Sequence, residues 1–352
     1  MTRDVDVTPF RLPLTTPLET ATGSIEERRG FLLEVDGAVG EATPLRGWTE
    51  SLEACRVALD TAAAHLRNGE SWREALDCCA EMPAARHAVD LARADLDATR
   101  ADAPLASYLS SDDYAPTVPV NATIGQSPVR ETAAHARSAV TSGFDCLKVK
   151  VGGRPVPGDV ERLRAVRTEV GTDVELRADA NGSWTPGQAR EAMDAFDDLG
   201  VRYVEQPLPA DDLTALADLR HDATIGVAVD ETLASHRFGD VLMAGAADVV
   251  VLKPMALGGI ERAHAYALRA RELDVTPVVT TTVDGVVART AALHLAASLG
   301  DPPACGLATA DRLGTDLAPD PAPVENGRMT VPTSPGLGIQ SPRVPTEATV
   351  DE

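Results

Sequence analysis

Lysine is almost missing from this chain: of 32 basic side chains only Lys148, Lys150 and Lys253 are lysine, and the other 29 are arginine. Positive charge of any kind is short, with 54 acidic side chains and a formal net charge of −22. Phosphate backbones and anionic bilayers need a basic face, so neither nucleic acid nor membrane is expected as a partner. Long apolar runs are absent too. No stretch reaches the ~18 residues of a membrane span, and the opening "MTRDVDVTPF" lacks the apolar core of a signal peptide. The five cysteines, Cys55, Cys78, Cys79, Cys146 and Cys305, have neither metal-binding nor disulfide spacing. No glycine pattern follows a strand to cradle a dinucleotide, and no phosphate loop ending in Gly-Lys-Ser/Thr occurs. These absences point to a reduced, cytoplasmic protein whose partner is a small molecule; a homo-oligomer is compatible with them.

So large a negative charge repels itself unless salt screens it. Acid in excess and arginine in place of lysine suit multimolar salt, where the Debye length is roughly 3 Å or less. A halophile's protein is expected.

The chain has 352 residues, 44% of them apolar, which allows two domains and a large core. Residues 1–112 read as α+β. "FLLEVDGAVGEATPL" suggests a hairpin turning at Asp36-Gly37, and helices follow near 50–68, 71–80 and 84–100. "SSDDYAPTVPV" reads as a linker. Residues 113–318 have another rhythm, with short β-branched runs alternating with helical stretches. The candidate strands are "VPVNATI", "DCLKVKV", "DVELRADA", "VRYVEQP", "IGVAVDE", "ADVVVLK", "TPVVTTT" and "ACGLAT". Alternation of this kind implies a parallel sheet. Eight units suggest an α/β fold of the (β/α)8 barrel type, with a doubly wound open sheet as the competitor. In the Pro-rich segment 319–352, "GRMTVP" reads as a strand returning to the first domain.

The strand ends carry the chemistry. They read Lys150, Asp179, Glu205, Asp230 and Lys253, at intervals of 29, 26, 25 and 23 residues. In a barrel such ends converge on one face, where active sites lie. One aspartate at a strand end is usually a helix cap, and one lysine is usually surface. Five ionisable groups in register, in a chain that has discarded its other lysines, are not explained that way. Arginine holds its proton, whereas a desolvated lysine can release it, so Lys150 reads as a general base. Lys148 shares its strand face. Each ammonium is expected to make the other harder to protonate. Three carboxylates without histidine or thiol suit Mg²⁺, with Mn²⁺ as a substitute, rather than Zn²⁺. Such an ion beside a lysine base serves proton removal next to a carboxylate, through an ene-diolate.

Taken in order, "KVK", "DANGSW", "VEQPL", "VDET", "LKPMALGG" and "SPGLGI" resemble the enolase superfamily, and within it the muconate-lactonising subgroup. The resemblance implies a modified TIM-like barrel under an N-terminal α+β capping domain that the C-terminal tail completes. It implies Asp179, Glu205 and Asp230 as Mg²⁺ ligands, supported by Asn181 and Glu231. Lys150 and Lys253 would flank a small carboxylate substrate, with Lys148 tuning Lys150; either flanking lysine could be the base. The seventh strand, "VVTTTVDG", lacks the histidine of mandelate-racemase-type members, and His294 falls too far along to serve, so it is read as structural.

"LPLTTPLETATGSIEERRGFLLEV", "GEATPLRGWTES" and "CGLATADRL" resemble the o-succinylbenzoate synthases of menaquinone biosynthesis. That implies a lyase dehydrating 2-succinyl-6-hydroxy-2,4-cyclohexadiene-1-carboxylate; Thr281, Thr282 and Gly306 are candidate contacts to its succinyl arm or carboxylate. The last segment also lacks the Asp-x-Asp pattern of dipeptide epimerases. Asp284 departs from the glutamate expected after the seventh strand. N-acylamino-acid racemase, dipeptide epimerase and muconate-type cycloisomerase remain as alternative activities.

Overall fold

The computed structural model describes residues 2–20, 23–110, 113–340 and 342–343. Ser111 and Asp112 of the expected linker lie outside them. The first domain is built on an antiparallel sheet of β1 (Val5–Thr20), β2 (Gly23–Val35) and β3 (Ala38–Ala42), in that spatial order. Asp36 and Gly37 join β2 to β3 with φ of 53° and 87°, the left-handed pair a two-residue hairpin needs. The long β1–β2 hairpin had no clear sequence signal. β1 carries Pro9, Pro13 and Pro17, and its register shifts between Pro13 and Leu18. An edge strand tolerates this, because half its N–H groups have no ladder partner to lose.

Helices Leu52–Arg67, Trp72–Asp77 and Pro83–Arg100 cover the sheet. Ser51 caps the first, and Ser71 with Glu74 forms a capping box on the second. Phe31, Leu33, Val35, Leu59, Leu66 and Val89 belong to the core between sheet and helices.

The second domain is a curled, all-parallel sheet. Its strands are β5 (Ala122–Ile124), β6 (Cys146–Lys150), β7 (Glu175–Asp179), β8 (Val201–Glu205), β9 (Gly226–Val229), β10 (Val249–Leu252) and β11 (Thr276–Val279), neighbours in chain order. The expected eighth strand is reduced to two bridges, Val120↔Cys305 and Thr280↔Gly306, which link the ends of the series and close the barrel. "VPVNATI" is split: β4 (Thr117–Pro119) leaves the barrel to pair with β13 (Arg328–Thr330), itself paired with β12 (Val324–Glu325). The strand within "GRMTVP" therefore joins β4, not the first sheet. Only afterwards does the chain reach the first helices, through the Pro104↔Gly336 bridge and Leu337 N–H on Asp95.

Helix Val286–Ser298 is buried on every side. Its N-terminus is satisfied from the first domain, where the Glu41 carboxylate accepts the N–H groups of Gly285 (2.7 Å) and Ala288 (2.9 Å). Buried Arg28 joins the domains a second time. It donates to Thr43 O, Pro44 O and Val283 O and pairs with Asp284 at 3.8 Å. Among the described residues no helix is long and apolar enough to cross a membrane.

Candidate active site

Parallel register sets Lys150, Asp179 and Glu205 side by side, since Lys150 pairs with Asp179 and Asp179 with Glu205. Asp230 and Lys253 each stand one residue past β9 and β10. Lys148 Nζ lies 2.8 Å from Glu205 Oε1 and 3.1 Å from Asp179 Oδ2. Lys150 Nζ donates to Asp179 Oδ2 (2.7 Å) and Asn181 Oδ1 (2.8 Å). Asn181 donates in turn to Glu231 Oε1 at 2.9 Å. Lys253 Nζ donates to Asp230 Oδ2 at 2.6 Å. Eight residues from five strand ends therefore form one charged pocket.

Local backbone shape aims them. Asn181 (φ 44°) and Gln206 (φ 41°) turn left-handed just past β7 and β8. Buried Gln206 takes the N–H groups of Asp230 and Thr232 on its carbonyl oxygen and donates to Leu208 O and Thr232 Oγ1. It holds the Asp230 turn in place, a role its position in "VEQPL" had not suggested.

Burial pushes the Asp179 carboxyl up, but Lys148 and Lys150 beside it hold it well below the usual carboxylate range. Burial and then the Asp179 charge push Glu205 up to about 7. Burial pushes Asp230 up to about 6 against the pull of Lys253. For Lys148 the expectation of mutual depression fails. Burial lowers it, yet Glu205 and Asp179 outweigh burial and raise it well above an ordinary lysine. Lys148 is thus a fixed cation among acids.

Among the described residues no three His, Cys, Asp or Glu side chains form a group that could clasp a metal ion as they stand. The lysines occupy the carboxylate oxygens instead. The donor set still fits a hard divalent cation. It is all oxygen, it comes from adjacent strand ends, and among the described residues buried Asp230 Oδ1 and Glu231 Oε2 have no hydrogen-bond partner.

Residues 131–343 match the family described as Enolase C-terminal domain-like. The chain belongs to the enolase superfamily. It is 32% identical over 354 residues to the L-Lys-D/L-Arg epimerase of Methylococcus capsulatus, covering 96% of this chain and 99% of that one. It is 38% identical over 222 residues to the o-succinylbenzoate synthase of Thermobifida fusca, covering 61% and 67%. Among solved structures, the dipeptide epimerase of Enterococcus faecalis, in complex with Mg and L-Leu-L-Tyr, superposes with a TM-score of 0.87 at 28% identity over 97% of this chain and all of that one. This protein is accordingly an enzyme of the enolase superfamily, with the superfamily's barrel and capping domain.

The remaining candidates divide. Thr281 Oγ1 meets Thr309 Oγ1 at 3.2 Å. The Thr282 hydroxyl is committed to Asp284 at 2.5 Å. A Cβ on Gly306 would sit 2.4 Å from Thr280 Oγ1, so this glycine permits closure of the superfamily barrel. Asp284 is 2% exposed and serves the Arg28 junction, which gives it a structural task. His294 lies away from the pocket, accepting Ala106 N–H on Nδ1 and donating from Nε2 to Leu337 O. Trp48 escaped notice in the sequence: its ring centroid is 3.5 Å from Lys253 Nζ. It comes from the other domain, so no strand spacing points to it.

Proposed function

We propose that this enzyme removes the proton alpha to a carboxylate with Lys150 as base, and that its reaction is the syn-dehydration of 2-succinyl-6-hydroxy-2,4-cyclohexadiene-1-carboxylate to o-succinylbenzoate. Asp179, Glu205 and Asp230 would hold Mg²⁺, with Asn181 and Glu231 behind them. When bound, the ion supplies positive charge opposite the carboxylate whose electron density rises. Lys150 has a side chain 31% exposed, against 14% for both Lys148 and Lys253, and is the lysine a substrate can reach. As a free amine it takes the ring proton, and the electron pair spreads into the carboxylate as an ene-diolate. The same nitrogen returns its proton to the hydroxyl leaving from that face. Water departs and the ring becomes aromatic. Lys253 stabilises the anion from the other side.

The observation that carries the dehydratase reading is the neutral rim. Thr280, Thr281, Thr282, Gly306 and Thr309 line the last strand ends. Of the nearby acids, Asp284 is committed to Arg28 and Thr282, and Glu231 accepts from Asn181 on Oε1, with its Oε2 assigned under this reading to the metal ligands' side of the pocket. Hydroxyls suit a succinyl arm, whereas a dipeptide brings an ammonium that needs a carboxylate. The 38% identity to a synthase over 222 residues adds support.

A second reading, epimerisation of a dipeptide or N-acylamino acid, is favoured by the full-length relatives. Asp311, exposed in the turn Ala310–Arg312, is the carboxylate an ammonium would have to use. The test is a substrate panel in concentrated KCl with Mg²⁺: the cyclohexadiene acid by aromatic absorbance, and dipeptides and N-acylamino acids by alpha-proton exchange in D₂O. Turnover of the cyclohexadiene acid far above exchange of the others is expected. Exchange alone, lost in Asp311→Asn for dipeptides only, would replace the dehydratase by the epimerase.

A further inference from the structure

We propose that Trp48 is a positioning residue that clamps Lys253 as a fixed cation, leaving Lys150 as the mobile lysine of the pair. The proposal rests on the assignment of Lys150 as base, and it explains why two lysines in one pocket would not be interchangeable.

The Lys253 ammonium is held from two sides. Asp230 Oδ2 accepts its proton at 2.6 Å, and the Trp48 indole faces it at 3.5 Å. Leu233, Val251 and Leu257 share this small pocket and keep it apolar. A cation on the face of tryptophan, shielded from water, makes the strongest of the side-chain cation–π contacts. Among the described residues Lys150 has no such partner. Its two hydrogen bonds go to Asp179 and Asn181, and it is twice as open to solvent as Lys253.

The capping domain presents the indole on a tight turn. Trp48 N–H and Thr49 N–H both donate to Leu45 O, and Leu45 N–H returns to Thr49 Oγ1. Gly47 takes φ 89° at its centre, where other residues are strained. Upstream, Arg28 grips Thr43 O and Pro44 O and also Asp284, which lies just past β11. The turn carrying Trp48 is thereby tied to the barrel whose lysine it covers. Seating of the capping domain and orientation of Lys253 become one event.

Two measurements test this. In the first, Trp72→Phe and Trp184→Phe leave Trp48 as the only tryptophan of three. Lys253→Met is then added, and Mg²⁺-free emission is recorded with no substrate. A nearby ammonium quenches indole, so Trp48 emission is expected to rise. An unchanged spectrum overturns the contact. In the second, Trp48→Leu and Trp48→Phe are each made alone and with Lys253→Met, and kcat/KM is measured on whichever substrate turns over. Trp48→Leu is expected to lose roughly 5- to 30-fold, the range of a shielded cation–π contact, and Trp48→Phe to recover most of it. Both changes should cost little once Lys253 is gone. Equal losses with and without Lys253 would sink the clamp while leaving the reaction intact. A changed spectrum with no turnover on any substrate would sink the reaction and leave the clamp.

Discussion

Lys150 and Asp230 illustrate how a side chain's chemistry, rather than its charge alone, decides what a substitution does. Arginine in place of Lys150 would keep the positive charge beside Asp179 and Asn181, yet it cannot surrender a proton near neutral pH. Lys150→Arg is therefore expected to lose roughly 10³-fold or more in kcat/KM, in line with removal of a general base. Far-UV circular dichroism should be unchanged. Near-wild-type turnover would show that another group takes the proton. Asp230→Asn keeps the size of the side chain and its contact with Lys253, but gives up a charge that the buried, unpartnered Oδ1 would offer to a cation. Calorimetric titration with Mg²⁺ should register at least a roughly tenfold weaker affinity, since charged ligands dominate such sites. Equal affinity would take Asp230 out of the ligand set. These residues could be read from the sequence because they repeat at the βα interval. Trp48 and Gln206 could not: one reaches in from another domain, and the other acts through hydrogen bonds its neighbours supply only after folding.

At the scale of elements, helix Val286–Ser298 joins the domains, and two buried polar groups, His294 on it and Glu41 of β3 at its N-terminus, respond to pH in opposite directions. His294 accepts a backbone N–H on Nδ1, which leaves no room for a second proton, and burial pushes it down to about 4. Its folded value lies below the unfolded one, so the stability it contributes is present above about 6.5 and is lost as pH falls toward 4. Glu41, at the N-terminus of the same helix, is pushed up to about 7, first by burial and then by Asp284. Its contribution is present below about 4.5 and fades as pH rises through 7. His294→Gln keeps an acceptor for Ala106 and a donor for Leu337 without a titrating proton. Urea melts at pH 7 and pH 4.5 should show the wild type losing more stability on acidification than this variant. The difference is about 3 kcal/mol at most. Parallel losses would mean that burial does not disfavour the protonated form of His294 in the fold.

Packing between elements sets a second limit. A Cβ at Gly40 of β3 would lie 1.9 Å from Ala88 O in helix Pro83–Arg100. Backbone meets backbone there, so Gly40→Ala must push sheet and helix apart, at a cost of about 1–3 kcal/mol. Thermal melts should register it as a lowered midpoint; an unchanged midpoint would mean the two elements slide freely. The strand β3 itself was legible from its Asp36-Gly37 turn. Strand β1, on the far side of β2, was obscured by three prolines, and the eighth barrel strand shrank to two bridges because Pro302 and Pro303 precede Cys305. Periodicity thus revealed the interior strands and failed at the edge and the closure, where proline and single bridges replace a regular ladder.

Across the whole molecule, the three lysines all lie in the pocket and none is surface-exposed, so every exposed side-chain cation of Lys or Arg type is an arginine. The surface acids have little opposing charge: Glu191, Asp194, Asp197 and Asp198 lie along and just beyond one helix, and Asp211, Asp212 and Asp218 lie just before and along the next. At −22 net, repulsion among such groups opposes compaction until ions intervene. Ordinary screening and dependence on concentrated salt differ in where they act. The Debye length is about 10 Å at 0.1 M and about 3 Å at 1 M, so simple screening of charges one helical turn apart is largely achieved before the molar range. A surface adapted to brine should go on gaining stability from 1 M to 3 M KCl and should unfold on dialysis to 0.1 M. Circular dichroism melts across that series measure both. A midpoint that levels off by 0.5 M would reduce the acidic surface to ordinary screening. A midpoint flat from 0.1 M upward would remove charge repulsion as a force on this fold altogether.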